Sequence, residues 1–165
     1  MSILEVKAVG LHVVLHEPEI PANTGNIART CAGTNTGLHL IHPLGFSTDD
    51  RMLKRAGCDY WPNVKVDHYD NIEELFLKYP EGEFYFIETI GTKHYHEIDY
   101  SDLKKDYFFV FGKETKGLPK ELTEKYQERC FRIPQTDKIR SLNLSNTAAI
   151  VVYEALRQQS FPSIG

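Results

Sequence analysis

The sequence lacks the features of a membrane-spanning, secreted or disulfide-bonded protein. Its 165 residues include only three cysteines, Cys31, Cys58 and Cys130, and no Cys-x-x-Cys spacing occurs. An odd set of this kind favours neither a disulfide framework nor a cysteine zinc site, so we interpret all three as buried packing residues. No apolar run approaches the roughly 18 residues that a membrane helix needs, and the N-terminus does not read as a signal peptide. We therefore expect a cytoplasmic protein.

Positive charge is also scarce. The 19 Lys and Arg residues are outnumbered by 23 Asp and Glu residues, which gives a formal net charge of −4. This balance excludes a protein that is basic overall, but a local basic patch suffices for RNA binding. The residues that could form such a patch are Arg51, Lys54, Arg55, Lys113, Lys116, Lys120 and Arg140. An ordinary solvated charged face is the alternative interpretation for each of them.

Several catalytic signatures are missing as well. Gly112 and Gly117 have the separation of a phosphate-binding P-loop, but Leu118 and Pro119 stand where that loop requires Lys and Ser or Thr. No Gly-x-Gly-x-x-Gly and no Gly-x-Ser-x-Gly pattern occurs, and the seven histidines show no metalloprotease spacing. The sequence therefore argues against nucleotide hydrolysis, a dinucleotide site and serine hydrolysis, and we expect no metal.

What the sequence does contain is a regular alternation of strand and helix signals. Predicted strands cover residues 11–15, 38–42, 64–69, 84–87, 107–111 and 131–133. Predicted helices cover residues 23–36, 49–56, 71–80 and a stretch that Pro119 opens, and a last helix runs to about Gln159 from a cap at Ser145 or Asn146. Such alternation predicts a single α/β domain over residues 1–165, with a mostly parallel sheet flanked by helices. Ligands of such sheets bind beyond the carboxyl ends of the strands, so the loops there carry the chemistry.

Three of these loops are unusually polar or glycine-rich. The first, residues 17–30, carries Asn23, Asn26 and Arg29. It is either a rigid polar loop that binds a phosphate or the start of an ordinary capped helix with a surface arginine. The second, residues 111–118, is a glycine turn whose backbone could approach a ligand closely, or else a surface turn. The third, residues 133–146, is more polar than one helix cap needs, which favours a pocket over a plain long loop.

The last predicted helix is apolar nearly all round its first two turns. A helix of this kind is buried on every side, which in a short chain suggests a subunit interface as well as a core. From chemistry alone, Tyr153 is interpreted as a core or interface aromatic residue rather than a catalytic one.

Together the three loops resemble the SPOUT class of RNA methyltransferases. The resemblance rests on three motifs in the family's order: Asn23, Gly25, Asn26 and Arg29; Phe111, Gly112, Glu114, Gly117 and Leu118; and Ser141 to Ser145. Residues 17–25, 55–60 and 152–158 further resemble the small YibK/TrmL type, which are tRNA (cytidine/uridine-2'-O)-methyltransferases. The resemblance covers nearly the whole chain.

The resemblance implies a C-terminal deep trefoil knot that holds the methyl donor S-adenosylmethionine in a bent shape. The residues it implies are Thr89, Gly112, Ile133, Ser141 and Asn143 for the cofactor; Asn23, Asn26, Glu114 and Arg140 for the substrate; and Arg29 with Tyr153 for catalysis. Tyr153 is expected to act from the partner subunit. Because a guanidinium does not give up its proton in proteins, we expect Arg29 to bind a phosphate and polarise the hydroxyl rather than act as a simple base.

The implied substrate is the anticodon stem-loop of leucine tRNAs, methylated on the ribose of the wobble nucleotide, with a homodimer formed through the C-terminal helix. Two alternatives stay open at this point. One is the same chemistry on another RNA such as ribosomal RNA, and the other is a non-catalytic RNA-binding protein of the same fold.

Overall fold

A computed structural model describes residues 10–49, 51, 53, 55 and 61–165. Its strands are β1 (Leu11–His16), β2 (Gly37–Ile41), β3 (Val66–Tyr69), β4 (Glu83–Ile87), β5 (Lys93–His94), β6 (Tyr107–Phe111) and β7 (Cys130–Arg132). Its α-helices are α1 (Pro21–Thr34), α2 (Ile72–Lys78), α3 (Lys120–Lys125) and α4 (Leu144–Gln158), and three short 3-10 turns join them. Cys58, Lys54 and much of the helix predicted over residues 49–56 lie outside the described residues.

The strands form one seven-stranded sheet in the order β3-β2-β1-β6-β4-β7-β5, and all six neighbouring pairs are parallel. The predicted parallel sheet is thus confirmed. Because β6 is inserted between β1 and β4, the direction in which the chain adds strands reverses at the β1–β6 boundary. The trefoil knot stays a prediction.

Both faces of the sheet are covered, which explains why its central strands are apolar without alternation. In β1, Val13 and Leu15 pack on one face with the apolar sides of α1 and α4. Val14 points to the opposite face, where it packs with α2 and the residues around α3. Strand β6 is buried along its whole length. The sheet is therefore a rigid frame whose loops at the carboxyl edge are held from both sides.

Helix ends follow local side-chain chemistry. The predicted cap at Asn71 is confirmed, since its side chain accepts a hydrogen bond from Glu74 N at 3.1 Å. The cap of α4 is a correction: it is Asn143, not Ser145 or Asn146, and its Oδ1 accepts from Ser145 N at 2.9 Å and Asn146 N at 3.2 Å. The helix starts earlier than predicted because one asparagine side chain satisfies two N–H groups that have no partner within the helix.

A buried chain of polar side chains crosses one face of the sheet. His12 Nε2 lies 3.2 Å from Asp106 Oδ1, His12 Nδ1 lies 2.9 Å from His39 Nε2, and His39 Nδ1 lies 2.9 Å from Tyr69 Oη. Each of these contacts is a hydrogen bond if the Tyr69 hydroxyl donates to His39 Nδ1, His39 Nε2 donates to His12 Nδ1, and His12 Nε2 donates to Asp106 Oδ1. Burial, helped by His12, lowers the pKa of His39 from 6.5 to about 3. The His39 imidazole is therefore neutral in the folded protein at neutral pH.

Candidate active site

The three polar loops meet at the carboxyl edge of the sheet, around the boundary where the strand order reverses. The first loop follows β1, the second follows β6, and the third follows β7. Because β1 and β6 are neighbours, the first two loops leave the sheet side by side. Such a reversal point is where open parallel sheets leave a crevice for a ligand.

A cavity of about 490 Å³ opens between these loops. Eight of the eleven site residues predicted from the sequence line it: Asn23, Thr89, Gly112, Glu114, Ile133, Arg140, Ser141 and Asn143. The other three lie outside the lining. Asn26 and Arg29 are exposed on α1, and Tyr153 is 50% exposed on α4. The cavity therefore unites the residues predicted for a cofactor, whereas those predicted for catalysis are at the surface.

The second loop folds back on itself too tightly for a side chain at Gly112. A Cβ there would lie 2.1 Å from the carbonyl carbon of Gly117 and 2.2 Å from Leu118 N. Gly117 closes the turn with a φ of +69°, and its N–H donates to Lys113 O at 2.8 Å. Glycine is needed at Gly112 for space and at Gly117 for conformation. The loop thus presents bare backbone to the cavity.

Reciprocal hydrogen bonds clamp the second loop to the first. Glu114 Oε2 accepts from Glu19 N at 2.8 Å and Ile20 N at 3.2 Å. Glu19 Oε1 in turn accepts from Thr115 Oγ1 at 2.6 Å and Thr115 N at 3.2 Å, and these bonds lower the pKa of the Glu19 carboxyl. Ile20 is the N-cap of α1 and provides no side-chain acceptor, so Glu114 supplies the carboxylate that this helix start favours.

The other carboxylate oxygen of Glu114 indicates a ligand. Glu114 lines the cavity, yet its Oε1 is buried and has no hydrogen-bond partner among the described residues. A buried carboxylate oxygen without a donor is costly. A ligand that brings an N–H or O–H donor into the cavity would remove this cost.

The third loop closes the cavity through two links to the other loops. Asn143 Nδ2 donates to Asn23 Oδ1 at 3.2 Å, which joins the start of α4 to the start of α1. The Arg140 guanidinium donates to the Thr115 carbonyl of the second loop. A displacement of any one loop is therefore transmitted to the other two.

One ionisable residue of the cavity lining, Glu88, was missed by sequence reasoning. Glu88 is the first residue beyond β4, and it lines the cavity beside Thr89. Burial raises the pKa of the Glu88 carboxyl, against the opposing effect of N–H donors from Leu118 and Thr89. The signal available in the sequence was its place, since Glu88 directly follows a buried aromatic strand whose carboxyl end faces the ligand crevice.

The predicted basic patch is in part close to the cavity. Lys113 and Lys116 line it, and Lys113 Nζ also lies 3.8 Å from Glu17 Oε1. Arg51, Arg55 and Lys120 are exposed and do not line the cavity. Lys120 Nζ lies 3.7 Å from Glu124 Oε1 on α3. Two of the predicted lysines and Arg140 therefore lie at the cavity, beside the carboxylates of Glu88 and Glu114. None of the described helices has the length and apolarity to cross a membrane.

Comparison with known proteins gives a consistent set of matches. A profile of the SpoU rRNA Methylase family matches residues 10–153. A protein of Listeria monocytogenes serotype 4b (strain F2365), provisionally named tRNA (cytidine(34)-2'-O)-methyltransferase, is 68% identical over 153 residues, which cover 93% of this chain and 90% of the relative.

Solved structures share the fold. One, described as giving structural insights into the 2-OH methylation of C/U34 on tRNA, is 40% identical with a TM-score of 0.83 and covers 91% of this chain and 96% of its own. Another is an AdoMet-bound rRNA methyltransferase from Sinorhizobium meliloti, which is 26% identical with a TM-score of 0.78. That match covers 89% of this chain and 56% of the other.

Proposed function

Because this chain belongs to the SpoU methylase family and is an RNA ribose 2'-O-methyltransferase, we propose that it methylates nucleotide 34 of tRNA with S-adenosylmethionine as donor. The observation that carries the proposal is the cavity, which brings together seven predicted site residues from the three loops and Thr89 from the turn after β4. Two relatives support the target, since one is named for cytidine 34 of tRNA and the other is described by methylation of C/U34 on tRNA. The proposed substrates are the leucine tRNAs in which nucleotide 34 is a C or a U.

The cavity fits S-adenosylmethionine. Its volume of about 490 Å³ lies within the roughly 300–1,000 Å³ of ordinary cofactor sites. The residues proposed to hold the donor are Thr89, Gly112, Ile133, Ser141 and Asn143. Because Gly112 has no side chain, the backbone of Gly117 and Leu118 can lie close against it, and Gly112 and Gly117 together form this wall of the cavity. When bound, S-adenosylmethionine supplies a methyl group already activated on a sulfonium, so the protein has to orient the acceptor and manage its proton.

Arg29 is proposed to manage that proton indirectly. It lies on α1, whose start is fixed by Glu114, and its side chain is exposed where a phosphodiester could reach it. A guanidinium fork binds two phosphate oxygens at once. With its phosphate held by Arg29, the RNA would be oriented so that a phosphate oxygen or a water could accept the proton that the 2'-hydroxyl loses on methylation.

The Arg29→Lys variant tests this role. It keeps the charge but loses the fork, and we expect turnover to fall by about 10²-fold or more, with cofactor binding in calorimetry unchanged. Arg129→Lys is the matched control, since Arg129 pairs with Glu83 at 2.8 Å outside the cavity. Near-normal turnover of Arg29→Lys would show that the fork is not required.

A homodimer through α4 is proposed to complete the site. Ile150, Tyr153 and Phe161 are 37%, 50% and 40% exposed, and they form what we call the α4 face. The rings of Tyr153 and Phe161 lie 6.4 Å apart. Covering the α4 face with a second copy would bury this apolar surface and bring Tyr153 to the partner's substrate.

Sedimentation of the Ile150→Asp variant tests the dimer. We expect the wild type to sediment as a dimer and Ile150→Asp as a monomer without methyltransferase activity. Leu77→Asp is the control, because Leu77 is 83% exposed on α2 and outside the α4 face. A monomeric, active wild-type protein would exclude a shared site.

The substrate class is tested by transfer of a labelled methyl group to unmodified RNAs. Leucine tRNA transcripts should be labelled, whereas other tRNAs and ribosomal RNA fragments should not. Label in ribosomal RNA alone would establish the other enzymatic alternative. RNA binding without transfer to any of these RNAs would contradict the proposed substrate class.

A further inference from the structure

The cavity lining includes a half-buried carboxylate, Glu88, that none of the sequence motifs includes. Its backbone holds the end of β4 in place, because Glu88 N donates to Phe131 O at 2.8 Å and Glu88 O accepts from Gly91 N at 3.1 Å. Its side chain reaches the second loop, where Oε1 accepts from Leu118 N and lies against Gly117. Hydrogen bonds to its backbone and to its side chain therefore hold Glu88 at the wall of the cavity.

No described cation compensates this carboxylate. The influences on its pKa are burial and two backbone N–H groups, with no contribution from a Lys, Arg or His of the described chain. The positive groups that line the cavity belong to its mouth, where Lys116 and Arg140 are exposed and Lys113 is near Glu17. A partly buried carboxylate with hydrogen bonds but without a counter-ion favours a ligand that brings a positive charge.

Glu114, the other carboxylate of the lining, is placed differently. Its Oε2 is held by the N–H groups of Glu19 and Ile20 at the positive start of α1. The helix start therefore already compensates much of its charge. Glu88 has no comparable compensation among the described residues.

We propose that Glu88 is a cofactor-binding residue whose negative charge makes the cavity prefer the cationic methyl donor over its uncharged-sulfur product. The donor carries a sulfonium that the product S-adenosylhomocysteine lacks, so the two ligands differ by one positive charge at sulfur. A nearby negative charge stabilises only the first of them. This preference would promote release of the product after each methyl transfer. The inference rests on the proposed function, in which S-adenosylmethionine occupies this cavity.

The test is calorimetric titration of the whole protein with three ligands. These are S-adenosylmethionine, S-adenosylhomocysteine and sinefungin, an analogue with an amine in place of the sulfonium. The variant is Glu88→Gln, which keeps the shape and an acceptor oxygen but removes the charge. The matched control is Glu81→Gln, which removes one charge at an exposed position before the other end of β4.

We expect Glu88→Gln to weaken both cationic ligands by about 10-fold, equal to 1.4 kcal/mol, and S-adenosylhomocysteine by less than 2-fold. Glu81→Gln should change none of the three. Equal weakening of all three ligands, or no change, would overturn the inference. If wild-type protein binds none of them, the proposed function fails instead, so the two failures are distinguishable.

A second variant guards against a folding defect. Glu88→Asp retains the charge but shortens the reach to Leu118 N, so any loss of loop structure should appear in it as well. We expect it to keep a wild-type ratio of donor to product affinity, even where both affinities fall. A ratio in Glu88→Asp that matches Glu88→Gln would assign the effect to loop geometry rather than charge, and would overturn the inference.

Discussion

Replacement of Gly112 by alanine should disable the cofactor cavity. The new Cβ would lie 2.1 Å from the Gly117 carbonyl carbon, whereas ordinary contact begins at 3.4 Å, so the turn has to open by about 1.3 Å. Both atoms in conflict belong to backbone, so no side-chain rotation relieves the overlap. Because the second loop is clamped to the first through Glu114, the displacement reaches the start of α1 as well.

The expected cost has two parts. Overpacking of a tight site costs about 1–3 kcal/mol of folding stability, and for a chain of this size each kcal/mol lowers Tm by about 2–4 °C. A displacement of about 1 Å can cost about 10²-fold in turnover. Cofactor affinity should fall at least about 10-fold, equal to 1.4 kcal/mol.

Calorimetry, thermal unfolding and methyl transfer on the same preparation check these figures. The control is Gly33→Ala, because a Cβ at Gly33 meets nothing within 4 Å and the residue lies within α1. There alanine should stabilise the helix by about 0.5–1 kcal/mol and leave cofactor binding intact. Wild-type cofactor affinity in Gly112→Ala would refute the reasoning that bare backbone at this turn makes the site.

Two further predictions concern charge and protonation. Glu114→Ala removes the acceptor for Ile20 N and Glu19 N, which should cost about 1–3 kcal/mol of stability in denaturant unfolding and lower kcat/KM through the shifted start of α1. For His39, the pKa is about 3 in the folded protein against 6.5 ordinarily, so below pH 6.5 the unfolded chain binds the extra proton. The free energy of unfolding should therefore fall by up to about 1.4 kcal/mol per pH unit toward pH 3. His39→Gln should reduce that slope by one proton in urea titrations from pH 4 to 8, and an unchanged slope would contradict it.

Much of the fold could be predicted from local patterns, because a parallel sheet covered on both faces requires apolar strands between amphipathic helices. Strand β6 is a continuous run of aromatic and apolar residues, and β1 has an apolar centre from Val13 to Leu15, so the sequence marks both clearly. The two-residue strand β5 at the sheet edge was missed, since Lys93 and His94 carry no such pattern. The order of the strands was not predicted beyond the parallel arrangement, because the insertion of β6 between β1 and β4 depends on contacts far apart in the chain.

The site shows the same division. Motifs of neighbouring residues identified Gly112 and Asn143, whose roles depend on local turns and caps. The contacts that join the loops, such as Glu114 with the start of α1, span about a hundred residues and required the structure. The last helix was expected to be buried on every side, in part by a subunit interface, and in the single chain Ile150 and Tyr153 are exposed along one side. The composition suggested an interface on this helix, but only the structure identifies which of its residues the core leaves exposed.

The most direct test of the central claim is mass spectrometry of a leucine tRNA transcript after incubation with this protein and S-adenosylmethionine. We predict a gain of one methyl group on the ribose of nucleotide 34, and none on a transcript with a 2'-deoxyribose at that position. Methylation of the deoxy transcript, or of another nucleotide in the normal one, would contradict the assignment of the 2'-hydroxyl of nucleotide 34 as the acceptor.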